Sequence, residues 1–173
     1  MRGKSTPLRL IRLLILDVDG VLTDGRLRYG AGGEIEKVFH VRDGYGIKAV
    51  QALGIIVAVV SGRSSEAVAQ RCRELGIDEL HQGVNDKSVS LQALLARHGL
   101  EPAQCACVGD DLPDLPLLRA VGLGVAVRDA HPGACAAAHR RTRLTGGAGA
   151  VREVCDWLLA AHERHPKHRR RAQ

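Results

Sequence analysis

Aromatic residues are nearly missing from this chain: one Trp, one Phe and two Tyr among 173 residues. A stacking platform for single-stranded nucleic acid needs several aromatic rings, so the composition argues against that class of function. The core must instead be assembled from Leu, Val, Ile and Ala. Long apolar runs are missing too. The longest, residues 55–60, is strand-sized and falls far short of the ~20 residues that a membrane span requires. The basic start only imitates a signal peptide, because Arg9 and Arg12 interrupt it and Asp17 and Asp19 close it. Cysteine is scarce and odd in number, at positions 72, 105, 107, 135 and 155. All five sit inside apolar patterns, and no second Cys/His pair lies at ligand spacing. Free thiols in a reducing cytoplasm are expected, not disulfides or zinc.

Excess basic charge is missing from the body of the chain. The formal net charge is +6, but residues 1–12 hold four basic residues and no acid, and residues 162–173 hold five against one. Everything between carries two more acids than bases. The Arg-rich end reads as a solvated tail and not as a nucleic-acid surface. With 45% hydrophobic and 25% charged residues, the remainder is a single soluble globular domain.

What is present is an alternation of two periods. Residues 10–16, 55–60, 105–108 and 123–127 are short apolar runs bounded by Gly, Ser or Asp, the pattern of parallel strands buried on both faces. Helical segments lie between them. One starts at Ser64 or Ser65 and stops before Gly76, with Val68, Cys72 and Leu75 on one face. Another opens at Asn85 or Asp86 and runs to His98. Pro113 and Pro116 fit the first turn of a short helix, and Val151, Val154, Cys155, Leu158 and Leu159 mark a last one ending near His162. Strands alternating with helices predict an α/β fold, a doubly wound, mostly parallel sheet. Residues 26–41 break the rhythm with two partly alternating runs around Gly30, Ala31, Gly32 and Gly33, a β-hairpin insertion. Its Leu27, Tyr29, Ile35, Val38 and Phe39 offer more apolar surface than a two-stranded ribbon can hide, which predicts association with further copies. The expected organisation is a basic extension over 1–9, one domain over 10–161 and a basic tail over 162–173.

The chemistry sits at the strand ends. The first strand runs into Asp17-Val18-Asp19-Gly20, two carboxylates at the carboxyl edge, where α/β folds place their sites. The second ends in Ser61-Gly62-Arg63, a hydroxyl just ahead of a helix. Lys87 stands in the first turn of a helix, where a cation opposes the helix dipole, so a functional role is favoured. Gly109-Asp110-Asp111 and Asp114 add three acids at a further strand end. An oxygen-rich cluster of this kind calls for Mg²⁺. One carboxylate can attack phosphorus, a second can move the proton, and a metal, a lysine and a hydroxyl can neutralise the transferring group. The set reads as a phosphoryl-transfer site.

Asp17-x-Asp19-Gly20-Val21-Leu22-Thr23, then Ser61, Lys87 and Gly109-Asp110-x3-Asp114 resemble the four ordered motifs of the haloacid dehalogenase superfamily. The strings LDVDGVLTDG, VRDGYGIK, SGR, GDDLPDLP and GGAGAVREVCD resemble its capless phosphatases of sugar acids, and the likeness covers residues 10–160. The resemblance implies hydrolysis of 3-deoxy-D-manno-octulosonate 8-phosphate through an aspartyl phosphate, on the route to lipopolysaccharide. The phosphate of another nonulosonate is the alternative. It further implies Asp17 as nucleophile, Asp19 as acid/base, and Mg²⁺ on Asp17, the Asp19 carbonyl and Asp110. Ser61 and Lys87 would hold the phosphoryl group. Substrate contacts are expected from Asp19, His40, Val41, Arg42, Asp43, Gly44, Lys48, Arg63, Arg71 and Lys87. Between Asp19 and Ser61 lie 41 residues, and between Ser61 and Lys87 lie 25, too few for a cap domain at either place. A neighbouring subunit's hairpin is the candidate lid, and the resemblance implies a homotetramer. A receiver-type signalling domain shares the residue types, but it places its acidic pair and its phosphoacceptor at the first and third strands. Here the Ser separates two acidic sets.

Overall fold

The computed structural model describes residues 6–163. Six strands form one parallel sheet: β1 (Leu13–Leu16), β4 (Ile56–Val60), β5 (Glu79–His81), β6 (Cys105–Gly109), β7 (Leu123–Ala126) and β8 (Arg140–Arg141), in the spatial order β5-β4-β1-β6-β7-β8. Side-chain alternation along each strand feeds two cores. Leu14 and Leu16 of β1, with Val57, Val59, Ala106 and Val108, face the helices α1 (Val41–Ala52), α2 (Glu66–Leu75) and α6 (Ala150–Glu163). Leu13, Ile15, Ala58, Val60, Cys105 and Cys107 face α3 (Lys87–His98), α4 (Leu115–Ala120) and α5 (Pro132–Ala137). No described helix is long and apolar enough to cross a membrane.

The chain builds outward from β1 through β4 to β5, then returns to the other side of β1 with β6. That reversal opens a crevice beyond the carboxyl ends of β1 and β6, where ligands of open α/β sheets bind.

The sequence places the first strand at 10–16, whereas β1 begins at Leu13. Residues Leu8–Leu10 form a 3₁₀ turn behind Pro7, and the exposed Arg12 spends its N–H on the Gln104 carbonyl. The hairpin is present as β2 (Arg28–Gly30) and β3 (Gly33–Glu36), paired antiparallel and separate from the main sheet. Its apolar surplus is smaller than the sequence suggests. Leu27, Tyr29 and Val38 are exposed, but Phe39 packs against the α1/α2/α6 core. The Ile35 side chain lies outside the described residues, as do residues 1–5 of the basic extension and 164–173 of the tail.

Candidate active site

Asp17 follows β1 directly and is anchored by donating its N–H to the Val108 carbonyl (3.1 Å). The chain then turns sharply, and the Val18 carbonyl accepts from the amides of Val21, Leu22 and Thr23. Gly20 has φ +93°, and a Cβ there would lie 2.1 Å from Asp110 Oδ2. Only glycine both tolerates that backbone and leaves room for the second acidic set. Gly109 makes the same provision, since a Cβ would meet Asp114 at 2.6 Å.

Lys87, the first residue of α3, reaches down between two carboxylates. Its Nζ donates to Asp17 Oδ1 (2.5 Å) and Asp114 Oδ1 (2.6 Å), with all three side chains buried. Burial alone would lower the Lys87 pKa, but Asp17 and Asp114 outweigh it and hold the ammonium charged. Asp114 spends its other oxygen on the amides of Asp110 (2.9 Å) and Asp111 (3.3 Å). Both its oxygens are therefore used within the protein, and the carboxylates of Asp17 and Asp110 are the ones left for a cation. Carboxylate oxygens of Asp17, Asp110 and Asp114 lie within 4.8 Å of one another. Burial, reinforced by Asp114, pushes Asp17 up to about 6 despite its lysine. Burial and repulsion from Asp17, Asp114 and Asp111 push Asp110 up to about 8. Three clustered acids against one lysine are the donor set a hard divalent ion would relieve.

Ser61 follows β4 directly and is buried, its Oγ accepting the Arg63 N–H (3.2 Å). Asp19 stands at the mouth. Its Oδ1 accepts from Lys37 Nζ (2.5 Å), and its Oδ2 lies 3.8 Å from Arg63 Nε. Arg63 also donates to Tyr29 Oη (2.7 Å), so the hairpin arm touches the site twice. Asp17, Asp19, Ser61, Arg63, Lys87 and Asp110 thus line one cleft of about 290 Å³.

The other expected contacts gather elsewhere, around the start of α1. His40 caps that helix by accepting the Arg42 N–H (3.2 Å), while Val41 and Lys48 are exposed on it. Asp43 is turned inward. It accepts the Arg152 N–H (2.7 Å) in the first turn of α6, and burial raises its pKa. Arg42 lines a separate cavity of about 530 Å³ with Arg143 and Arg152. Arg71 lies against Gly44, where a Cβ would sit 2.3 Å from its Nη2. Arg63 precedes α2, which starts at Glu66, whereas Arg71 lies within it. Sequence reasoning missed the part played by Lys37 and Tyr29, and it placed Asp114 in the acidic cluster without its bond to Lys87. A single Lys at the end of an exposed strand carries no sequence signal of burial. The Asp four residues after Asp110, opening a turn, does hint that it caps the loop.

A lysine-bridged aspartate pair at the switch point of a parallel sheet fits a phosphatase of the haloacid dehalogenase type. Residues 79–153 match the family of haloacid dehalogenase-like hydrolases. The 3-deoxy-D-manno-octulosonate 8-phosphate phosphatase KdsC of Escherichia coli K12 is 52% identical over 151 residues, 87% of this chain and 80% of that protein. The chain belongs to this family of phosphatases. The crystal structure of the Yersinia pestis phosphatase superposes with a TM-score of 0.89 at 49% identity, covering 91% of this chain and 85% of that one. That of the Moraxella catarrhalis phosphatase, in complex with magnesium, phosphate and the sugar acid KDO, gives 0.89 at 41% identity and covers 96% of both chains.

Proposed function

We propose that this chain hydrolyses 3-deoxy-D-manno-octulosonate 8-phosphate to the free sugar acid and inorganic phosphate, within the supply of lipopolysaccharide precursors in the cytoplasm. The observation that carries the reading is the Lys87-bridged Asp17 beside Asp110 in a chain so similar to a relative crystallised with magnesium, phosphate and that sugar. Asp17 attacks phosphorus, and a carboxylate–phosphorus bond forms as the ester P–O bond breaks. The leaving oxygen takes the electron pair and the proton of the Asp19 carboxyl. Asp19, now a carboxylate, then accepts a proton from the water that attacks the acyl phosphate, and Asp17 is released. Lys87 and the Ser61 hydroxyl hold the phosphoryl oxygens. Asp17, the Asp19 carbonyl and Asp110 would hold Mg²⁺, which supplies charge neutralisation for the phosphoryl group.

The test is a phosphate-release screen over sugar phosphates with Mg²⁺. Arg63 at the mouth suits a carboxylate, so the sugar acid phosphate should exceed a neutral hexose phosphate in kcat/KM by about 10²-fold or more. Equal values overturn the assignment, and a preference for a nine-carbon acid redirects it.

Asp110→Ala should raise the Mg²⁺ concentration needed for half-activity at least about tenfold, because it removes a charged oxygen ligand. Titration adds a second check. Asp17 and Asp110 ionise near 4 when unfolded but near 6 and 8 in the folded, metal-free chain. The folded state therefore holds extra protons between about pH 4 and 8, and metal-free stability falls as pH rises through that window. Mg²⁺ affinity should rise over the same range with proton release, read by calorimetry in buffers of different ionisation heat. A flat affinity refutes it.

Association into a homotetramer with sites shared between subunits is part of the reading. It is supported by the exposed Val38, Val41 and Tyr45 beside the arm, 66–79% accessible. Val38→Asp with Val41→Asp should dissociate the assembly in sedimentation and lower activity together. A fully active monomer counts against it.

A further inference from the structure

The arm brings a cation to the cleft that the mechanism above leaves unused. Lys37 follows β3, on a ribbon that is otherwise largely exposed, yet its side chain is 2% accessible and its Nζ lies 2.5 Å from Asp19 Oδ1. Lysine is almost never buried so deeply without a partner. The opposite oxygen of Asp19 faces Arg63, which comes from the loop after β4. The carboxylate is thus flanked by one cation from the core and one from the arm. Tyr29 Oη, also on the arm, accepts from that same Arg63. Among the described residues, the arm therefore meets both partners of the Asp19–Arg63 pair.

We propose that Lys37 is a positioning residue for Asp19: it fixes the orientation of the acid/base carboxyl and makes that orientation depend on the arm being closed. The proposal rests on the reading of Asp19 as acid/base. An aspartate has two free torsions, and a general acid works only within hydrogen-bond reach of the oxygen it protonates. A misplacement of about 1 Å can cost about 10²-fold in rate. Lys37 contacts the Asp19 carboxylate itself. As the P–O bond breaks, the electron pair passes to the ester oxygen and the proton comes from Asp19, so Lys37 acts only through where Asp19 stands.

Leaving groups separate this role from a structural one. A sugar phosphate expels an alkoxide that needs the proton, whereas p-nitrophenyl phosphate expels a stabilised phenolate that does not. Single-turnover release of each leaving group isolates the first step. Lys37→Met keeps the buried stem and removes the charge. It should slow release from 3-deoxy-D-manno-octulosonate 8-phosphate by about 10- to 100-fold and from p-nitrophenyl phosphate by no more than about 3-fold. Lys37→Arg should recover part of the loss, because the cation is restored. The aryl substrate also serves as the control for folding. Equal losses on both substrates, or no loss, overturn the proposal. Asp19→Asn, measured the same way, tells the two failures apart. If it is selective and Lys37→Met is not, Lys37 has no positioning role. If neither is selective, the acid reading of Asp19 falls, and the proposal falls with it.

Discussion

On the proposed mechanism, turnover should fall by about 10⁴-fold or more when Asp17 is replaced by Asn, because the amide is not a nucleophile and the two-step displacement has no other route. The side chain is of nearly equal size, and the buried Lys87 keeps Asp114 as a partner, so the fold should survive. Acid quenching of the unmodified enzyme during turnover should trap one phosphoryl group on the peptide containing Asp17, and none on the variant. Near-normal turnover by an Asp17→Asn protein shown by mass to be free of deamidation would rule out covalent catalysis. Trapping on Asp19 would exchange the two roles.

Loss of Lys87 is the second large effect. Lys87→Met retains most of the volume and strands two buried carboxylates, Asp17 and Asp114, without their shared cation. Breaking a buried ion pair from one side costs about 3–5 kcal/mol. Activity should drop about 10²- to 10³-fold, since a donor aimed at the transferring group is gone as well. The stability loss should depend on pH in a definite direction. Without Lys87 the Asp17 carboxyl, already raised by burial, ionises later still in the folded chain, so the deficit is smaller near pH 5 and grows toward pH 8. Thermal unfolding at both pH values checks this. An equal deficit at both would mean that packing, not charge, is what Lys87 supplies.

The layered sheet was legible because its signal is local. Apolar runs of strand length at 55–60, 105–108 and 123–127 become β4, β6 and β7, and Gly76 and Gly99 stop the helices they were expected to stop. The acids at the strand ends were legible for a related reason, since like charges beside a buried strand make no sense without a cation. What depends on tertiary contact was not. α5 and the two-residue β8 have no period to read. Asp43 looks like a surface acid in a Gly-rich string until α6, more than a hundred residues later, brings its amide to it. Lys37 is invisible for the same reason, because only the fold of the arm puts it over Asp19.

The two margins of the sheet limit how copies of this protein can meet. β8 is two arginines long, with both side chains exposed, and the Arg141 guanidinium reaches the Arg128 carbonyl (2.9 Å). β5 at the other margin is only three residues and carries Glu79 and His81, close to Arg97 and His98. Borders this short offer a foreign strand too few free amides to zip onto. Growth of the sheet from chain to chain is disfavoured at both margins, which guards against open-ended fibres.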